Sequence, residues 1–213
     1  MAGQSWPAGF NPMKRIILMA ALIAGLAATQ AQEQLSRQES LKYAFAVSAN
    51  LAAMLKTPIP TDPDAKRPVA MRDGDYSGVV LPETKLGSEV FSKAGKEVAP
   101  VGQLWLLKLV PVNDGQPVPA NKLRLVDVST EEGQATVPCC ALGVRKAASG
   151  GLELLIFGKD SEPVLRVPMQ TISRQQENPI EMSAERKEEA GRVTLRFLGK
   201  YEASFMVTDP DRN

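Results

Sequence analysis

The adjacent cysteines Cys139 and Cys140 are the residues whose type and spacing most directly suggest chemistry. Neighbouring residues of a strand point to opposite faces, so we expect one thiol to be buried and the other to lie nearer solvent. The chain has no other cysteine. In an oxidising compartment three states are open to the pair. The two thiols can stay inert, they can form a strained vicinal disulfide with each other, or they can bridge to another molecule or bind a soft metal. A thiol or redox role for the pair is therefore one candidate function.

The residues Asp73, Asp75 and Ser77 place oxygen donors at alternating positions and partly imitate a calcium loop. The twelfth position of such a loop should be a bidentate glutamate, but it is Thr84 here. Asp-Gly is also a common turn between two strands, so the alternative is a hairpin. We expect the hairpin, and we predict neither a resident metal ion nor a cofactor.

The chain contains no histidine. This excludes Ser-His and Cys-His nucleophile pairs and zinc or copper sites that use imidazole. Acid–base catalysis by two carboxylates does not need histidine, so a hydrolase acting on glycans remains an alternative. The acidic pairs Glu131-Glu132 and Glu188-Glu189 fall in predicted turns, and no spacing nominates a catalytic pair. We therefore assign no catalytic residue and expect a protein that is not an enzyme.

Residues 13–31 have the pattern of a bacterial secretory leader. Two cations precede an apolar run from Ile16 to Ala28, and the small residues Thr29 and Ala31 allow cleavage before Gln32. The run is shorter than the roughly 20 apolar residues of a spanning helix. Residues 1–12 are an upstream extension before a better start at Met13. We expect an exported protein in the periplasm or outside the cell.

Removing residues 1–31 leaves 182 residues, enough for one domain with a packed core and a smaller appendage. It also removes Lys14 and Arg15, which changes the formal net charge from +1 to −1. This balance does not suggest a nucleic-acid surface. No cysteine lies at the cleavage point to carry a lipid anchor. We expect no integral membrane segment after leader cleavage.

A helix is predicted within residues 32–57, because apolar residues recur there at intervals of three and four. Ser36 and Glu39 fit a capping box, and the prolines Pro58 and Pro60 end the pattern. Residues 58–68 combine prolines and charges without periodicity, which predicts a linker. The place of the helix between leader and linker favours an appendage over a core element.

Residues 69–208 change to short apolar runs separated by turn residues, which is typical of a β-sandwich. Residues 209–213 are a polar tail. The predicted strands are Tyr76–Leu81, Gln103–Val112, Lys122–Val128, Cys140–Ala147, Leu152–Phe157, Val164–Met169, Ile180–Arg186, Arg192–Leu198 and Tyr201–Thr208.

The last two strands form the clearest hairpin, with Gly199-Lys200 as a two-residue loop. Residues of alternating polarity on both strands indicate a sheet with one buried and one solvated face. Trp105 lies in the middle of a predicted strand, where we expect core packing rather than a ligand platform. The fold class is therefore mainly β: an antiparallel sandwich, immunoglobulin-like or related, preceded by a signal peptide and one N-terminal helix.

The leading functional expectation is an exported, non-enzymatic β-sandwich of the cell envelope that acts as a binding or structural module. A sandwich with open edges can recruit an extended segment by strand addition, so we expect another envelope protein as partner. Pro111, Pro163 and Pro168 are placed to guard strand edges against unwanted pairing. The glycan hydrolase and the thiol role of Cys139 and Cys140 are the alternatives.

Overall fold

The computed structural model describes residues 32–54, 58–130, 133–187 and 190–211, all within one compact unit, residues 31–213. The predicted leader and the predicted turn residues 131–132 and 188–189 lie outside the described residues. The described chain is mainly β and forms two antiparallel sheets. Its strands are numbered below in chain order.

The first sheet has eight strands. In spatial order they are β1 (Glu33–Gln34), β2 (Val69–Asp73), β3 (Tyr76–Pro82), β4 (Ala99–Leu107), β8 (Gly133–Lys146), β9 (Leu152–Phe157) and β10 (Pro163–Pro168), with β7 (Arg124–Thr130) also paired to β8. Residues 137–144 of β8 form a continuous buried run, which is typical of a strand covered on both faces. Strand β8 is therefore the centre of this sheet and is longer than the predicted Cys140–Ala147.

The second sheet has six strands. In spatial order they are β12 (Ile180–Lys187), β13 (Ala190–Phe197), β14 (Tyr201–Thr208), β5 (Val110–Asn113) and β6 (Gln116–Pro117), with β11 (Gln170–Thr171) also paired to β14. Strands β12, β13 and β14 pair along most of their length. The predicted alternation of the last two strands is confirmed, since Val193, Leu195 and Phe197 are all buried.

The first hydrophobic cluster contains side chains from both sheets, including Leu104 and Leu142 of the first sheet and Leu195 and Phe197 of the second. A β-sheet with one apolar face must bury that face against another element, and each sheet does so here against the other. This shared cluster joins the two sheets in one core.

A second cluster joins the first sheet to the helix α1 (Arg37–Met54). Ala44 and Val47 are buried there against Trp105 of β4, so the expectation of core packing for Trp105 is confirmed. The capping box is also confirmed, because the Glu39 amide donates to Ser36 Oγ at 3.3 Å and the Ser36 amide donates to Glu39 Oε2 at 3.0 Å. The helix thus forms a third layer instead of a detached appendage.

The segment of residues 58–68, predicted as a linker, is hydrogen-bonded to the first sheet. The amide of Asp64 donates to the Pro82 carbonyl at 2.7 Å, and the amide of Thr84 donates to the Asp62 carbonyl at 2.8 Å. Ile59 packs on a third cluster that contains Leu155. The sequence of this segment has no periodicity because the segment is irregular. It lies along the first sheet and is hydrogen-bonded to β3 and to the residues next to β3.

The predicted strand Gln103–Val112 is wrong, because the chain changes sheets within it. Strand β4 ends at Leu107 and β5 begins at Val110 in the other sheet. Lys108 adopts φ 55°, a left-handed conformation that ends an extended ladder. Both halves are apolar, so the hydrophobic pattern alone carries no sign of the break.

The loop of the last hairpin also differs from the prediction. Phe197 pairs with Tyr201, so three residues connect β13 and β14, not the two predicted. Leu198 and Gly199 both have positive φ, and the Lys200 amide donates to the Phe197 carbonyl at 3.0 Å. The turn therefore begins one residue earlier, on a leucine that local sequence rules do not favour there.

A short helix, α2 (Ser88–Ser92), connects β3 to β4 and was not predicted. It buries Phe91 in the core between the sheets, where the ring stacks on Tyr201 with a centroid distance of 4.8 Å. Among the described residues, no helix is both long enough and apolar enough to cross a membrane.

Candidate functional site

The two cysteines lie at the centre of the first sheet, where Cys139 pairs with Trp105 and Cys140 pairs with Leu104. Both side chains are fully buried. The prediction that one thiol lies nearer solvent is therefore wrong. The physical reason is the third layer: α1 and the segment before β2 cover the face that would otherwise be wet.

The two thiols belong to different clusters, Cys139 to the cluster with α1 and Cys140 to the core between the sheets. Burial raises the pKa of Cys140 to about 12 and raises the pKa of Cys139 well above its usual range. Both cysteines are free thiols. Since the thiolate is the reactive species, this environment suits packing better than redox chemistry.

We therefore expect neither thiol to react with iodoacetamide in the native protein. The measurement is the intact mass after treatment under native conditions and after treatment in denaturant. The native sample should carry no adduct and the unfolded sample two. A native sample that gains an adduct, or an unfolded sample that gains none before reduction, would contradict the packing assignment.

The calcium candidates lie on the hairpin between β2 and β3, where Asp73 pairs with Tyr76. Gly74 has φ 59°, which the tight turn requires and glycine adopts at no steric cost. The carboxylate of Asp75 meets Lys108 Nζ at 3.1 Å, and that of Asp73 lies 3.8 Å from Arg186 Nε. Ser77 is buried. The turn has the geometry of a hairpin, because β2 and β3 pair in continuous antiparallel register on either side of it.

A cleft opens at one end of the two sheets, beside the β2–β3 turn, and we call it the end cleft. It measures about 70 Å³, room for a few water molecules or one short aliphatic side chain. Its lining residues are Gln32, Met71, Arg72, Asp73, Tyr76, Ser77, Gly78, Leu106, Leu109, Met182, Ala184, Arg186, Ala190, Gly191, Val193, Val207, Thr208 and Asp209.

The lining of the end cleft combines apolar side chains from both sheets with a charged rim. Tyr76 donates its hydroxyl to Asp209 Oδ2 at 2.8 Å, which ties the first sheet to the chain after β14. Asp73 and Arg186 make the second link between the sheets, at a distance too long for a hydrogen bond. An apolar pocket with a few convergent polar groups is the usual form of a binding site.

Sequence reasoning singled out Asp73 and Ser77 of this rim but missed the partners Arg186 and Asp209. Arg186 belongs to a run of mixed charge that reads as a solvated hairpin tip, and Asp209 belongs to the polar tail. Nothing in the local pattern signals that these distant residues meet. Of the three calcium candidates, Asp75 is not among the lining residues.

A second, wider depression of about 270 Å³ lies between the β5–β6 hairpin and the start of β10. Its lining includes the carboxylates of Asp160 and Glu162. Glu162 accepts a hydrogen bond from Arg166 at 3.2 Å. Both acids are exposed and lie directly before β10.

The buried carboxylate Glu83 lies apart from both depressions. The amide of Asp62 donates to its two oxygens at 3.0 and 2.8 Å, and burial raises the pKa of Glu83. Nearby, Gln103 accepts from the Trp105 indole at 3.2 Å and donates to Thr61 Oγ1 at 2.8 Å. These bonds fix residues 61 and 62 on the first sheet, which is a structural role.

No family model, characterised protein or solved structure matches this chain.

Proposed function

We propose that this chain is an exported β-sandwich, immunoglobulin-like or related, that serves as a binding or structural module of the bacterial cell envelope. The leader pattern supports export to the periplasm or beyond. Two antiparallel sheets around one shared core support the sandwich. The absence of histidine and the burial of both thiols support a role outside catalysis.

The observation that carries the proposal is the end cleft beside the edge strand β12. Strand β12 pairs with β13 over eight residues, and among the described residues no strand pairs with its other edge. Met182, Ala184 and Arg186 alternate along β12, and all three line the end cleft. An extended segment added to β12 would hydrogen-bond to its edge and direct alternate side chains towards the cleft.

We assign the site to an extended segment of another envelope protein that carries a short aliphatic side chain and an acidic residue. The size and apolar lining of the end cleft suit the aliphatic side chain. The acidic residue would meet Arg186, whose side chain is 45% exposed and lies 3.8 Å from its own carboxylate partner, Asp73. A guanidinium with unused N–H donors forms strong bidentate bonds to a carboxylate.

The alternatives receive less support from the described residues. Asp73 and Asp209 both line the end cleft, as a glycan hydrolase would require of its two acids, but Arg186 and Tyr76 engage them. The thiol role lacks an accessible sulfur.

The test uses two variants, each with one photo-crosslinking residue. One variant carries it at Ala184, and the control variant carries it at Ser204. Ala184 lines the end cleft, whereas Ser204 is an exposed residue elsewhere on the second sheet. We expect the crosslinker at Ala184 to map to one extended segment of one envelope protein, and the crosslinker at Ser204 to give no such product.

The affinity of the protein for a synthetic peptide with the sequence of that segment is then measured. Arg186→Ala should weaken binding by about 10- to 100-fold, because it removes a charge-assisted hydrogen bond worth about 1.5–3 kcal/mol. Arg192→Ala is the control, since Arg192 lies on β13 outside the end cleft. Equal affinities of the two variants, or equal crosslinking at the two positions, would refute the assignment of the site.

A further inference from the structure

Gln32 is the first described residue, and it lies in the wall of the end cleft. Strand β1 holds it there, because Glu33 pairs with Arg72 and Gln34 pairs with Met71. One step further along an antiparallel ladder brings Gln32 opposite Asp73. Gln32, directly before β1, is therefore part of the cleft.

The side-chain oxygen of Gln32 is buried and accepts no hydrogen bond from the described residues. A buried polar atom without a partner costs about 1–3 kcal/mol, so such atoms are rare in folded proteins and need a reason. The cleft also contains donors, among them Arg72 and Arg186, but none of its described residues donates to this oxygen. An intact glutamine is therefore a poor fit at this position.

The leader pattern places the cleavage point directly before this residue, so that export makes Gln32 the first residue of the chain. An N-terminal glutamine carries both a free amine and the amide carbon that this amine can attack. We propose that Gln32 cyclises to pyroglutamate after cleavage, and that the resulting lactam forms one wall of the end cleft. This inference rests on the export in the proposed function.

The reaction is internal to one residue and balances without a co-reactant. The α-amino nitrogen attacks the side-chain carbon Cδ, and a new nitrogen–carbon bond forms. The bond from Cδ to the side-chain nitrogen breaks, and that nitrogen leaves as ammonia with a proton from the α-amino group. No atom is oxidised or reduced, and the product is a neutral five-membered ring.

The surroundings favour the neutral end group over a free ammonium group. An ammonium at residue 32 would share the cleft with two cations, Arg72 and Arg186. The two carboxylates of the cleft, Asp73 and Asp209, already face Arg186 and Tyr76. Burying a charge without a committed partner is costly, and cyclisation removes that charge.

The experiment is the intact mass of the protein purified from the envelope, followed by labelling of free α-amines at neutral pH. We expect a chain that begins at residue 32, has a mass one ammonia below the calculated value, and gains no label at its N-terminus. The matched control is Gln32→Asn, in which the equivalent ring would have four atoms and does not form. Its chain should have the full calculated mass and one labelled α-amine.

A chain that begins at Gln32 with a free, labelled amine would overturn the cyclisation and leave export intact. A chain that begins at another residue would overturn the cyclisation and the cleavage site together. A chain that retains residues 1–31 would overturn export itself. The three results therefore separate failure of this inference from failure of the proposed function.

Discussion

Replacing Phe197 with alanine is expected to lower the free energy of unfolding by about 3–5 kcal/mol. The side chain is fully buried in the core between the sheets, and its ring lies 5.8 Å from that of Phe91. Phe91 in turn stacks on Tyr201, so the substitution opens a cavity beside a cluster of three rings. A domain of this size has a total stability of about 5–15 kcal/mol, and the loss should be evident in urea unfolding followed by circular dichroism.

The matched control is Phe45→Ala on α1. The Phe45 side chain is 81% exposed, so the same chemical change should alter the free energy of unfolding by less than about 0.5 kcal/mol. Equal losses at the two positions would mean that Phe45 is covered in solution. A small loss at Phe197 would mean that the two sheets do not share the core described above.

The second large effect is expected at Trp105, which connects α1 to the first sheet. Trp105→Ala should cost about 3–5 kcal/mol and should also release α1 from the sheet. Ala44 and Val47 of the helix share their buried cluster with Trp105, and an 18-residue helix is only marginally stable alone. Hydrogen exchange should therefore show loss of amide protection in α1, while β13 and β14 keep theirs.

Trp105→Phe separates packing from hydrogen bonding at this position. It keeps an aromatic ring under the helix but leaves Gln103 Oε1 without its donor, at a cost of about 1–3 kcal/mol. The amides of α1 should stay protected in this variant. Full protection of α1 in Trp105→Ala would show that the helix does not depend on this contact.

The parts of the fold that local sequence determines were predicted well. The strands Leu152–Phe157 and Tyr201–Thr208 have the predicted bounds, because each is an apolar or alternating run between clear turn residues. The capping box at Ser36 and Glu39 was predicted because its partners are three residues apart. Pro163 and Pro168 lie at the two ends of β10, an edge strand of the first sheet, as predicted, whereas Pro111 lies on β5 between β14 and β6.

The parts that depend on distant contacts were not predictable. The change of sheet at Lys108 is hidden within one apolar run, and only pairing with strands far along the chain reveals it. One of the two thiols was expected to approach solvent, because the pattern gives no sign that α1 covers the face of the sheet that carries Cys139. The end cleft needs residues from both ends of the described chain, Gln32 and Asp209, and neither carries a local motif.

The pairing of β5 with β14 has a kinetic consequence. Pro111 meets Val207, so the second sheet cannot be completed until the last strand of the chain is present. Chains rich in such distant pairs fold slowly, roughly in milliseconds to seconds, because the entropy of closing long loops is lost before the contacts form. A newly made chain therefore stays unfolded for a time. If the chain is exported as proposed above, this interval is the time in which it can cross a membrane before it becomes compact.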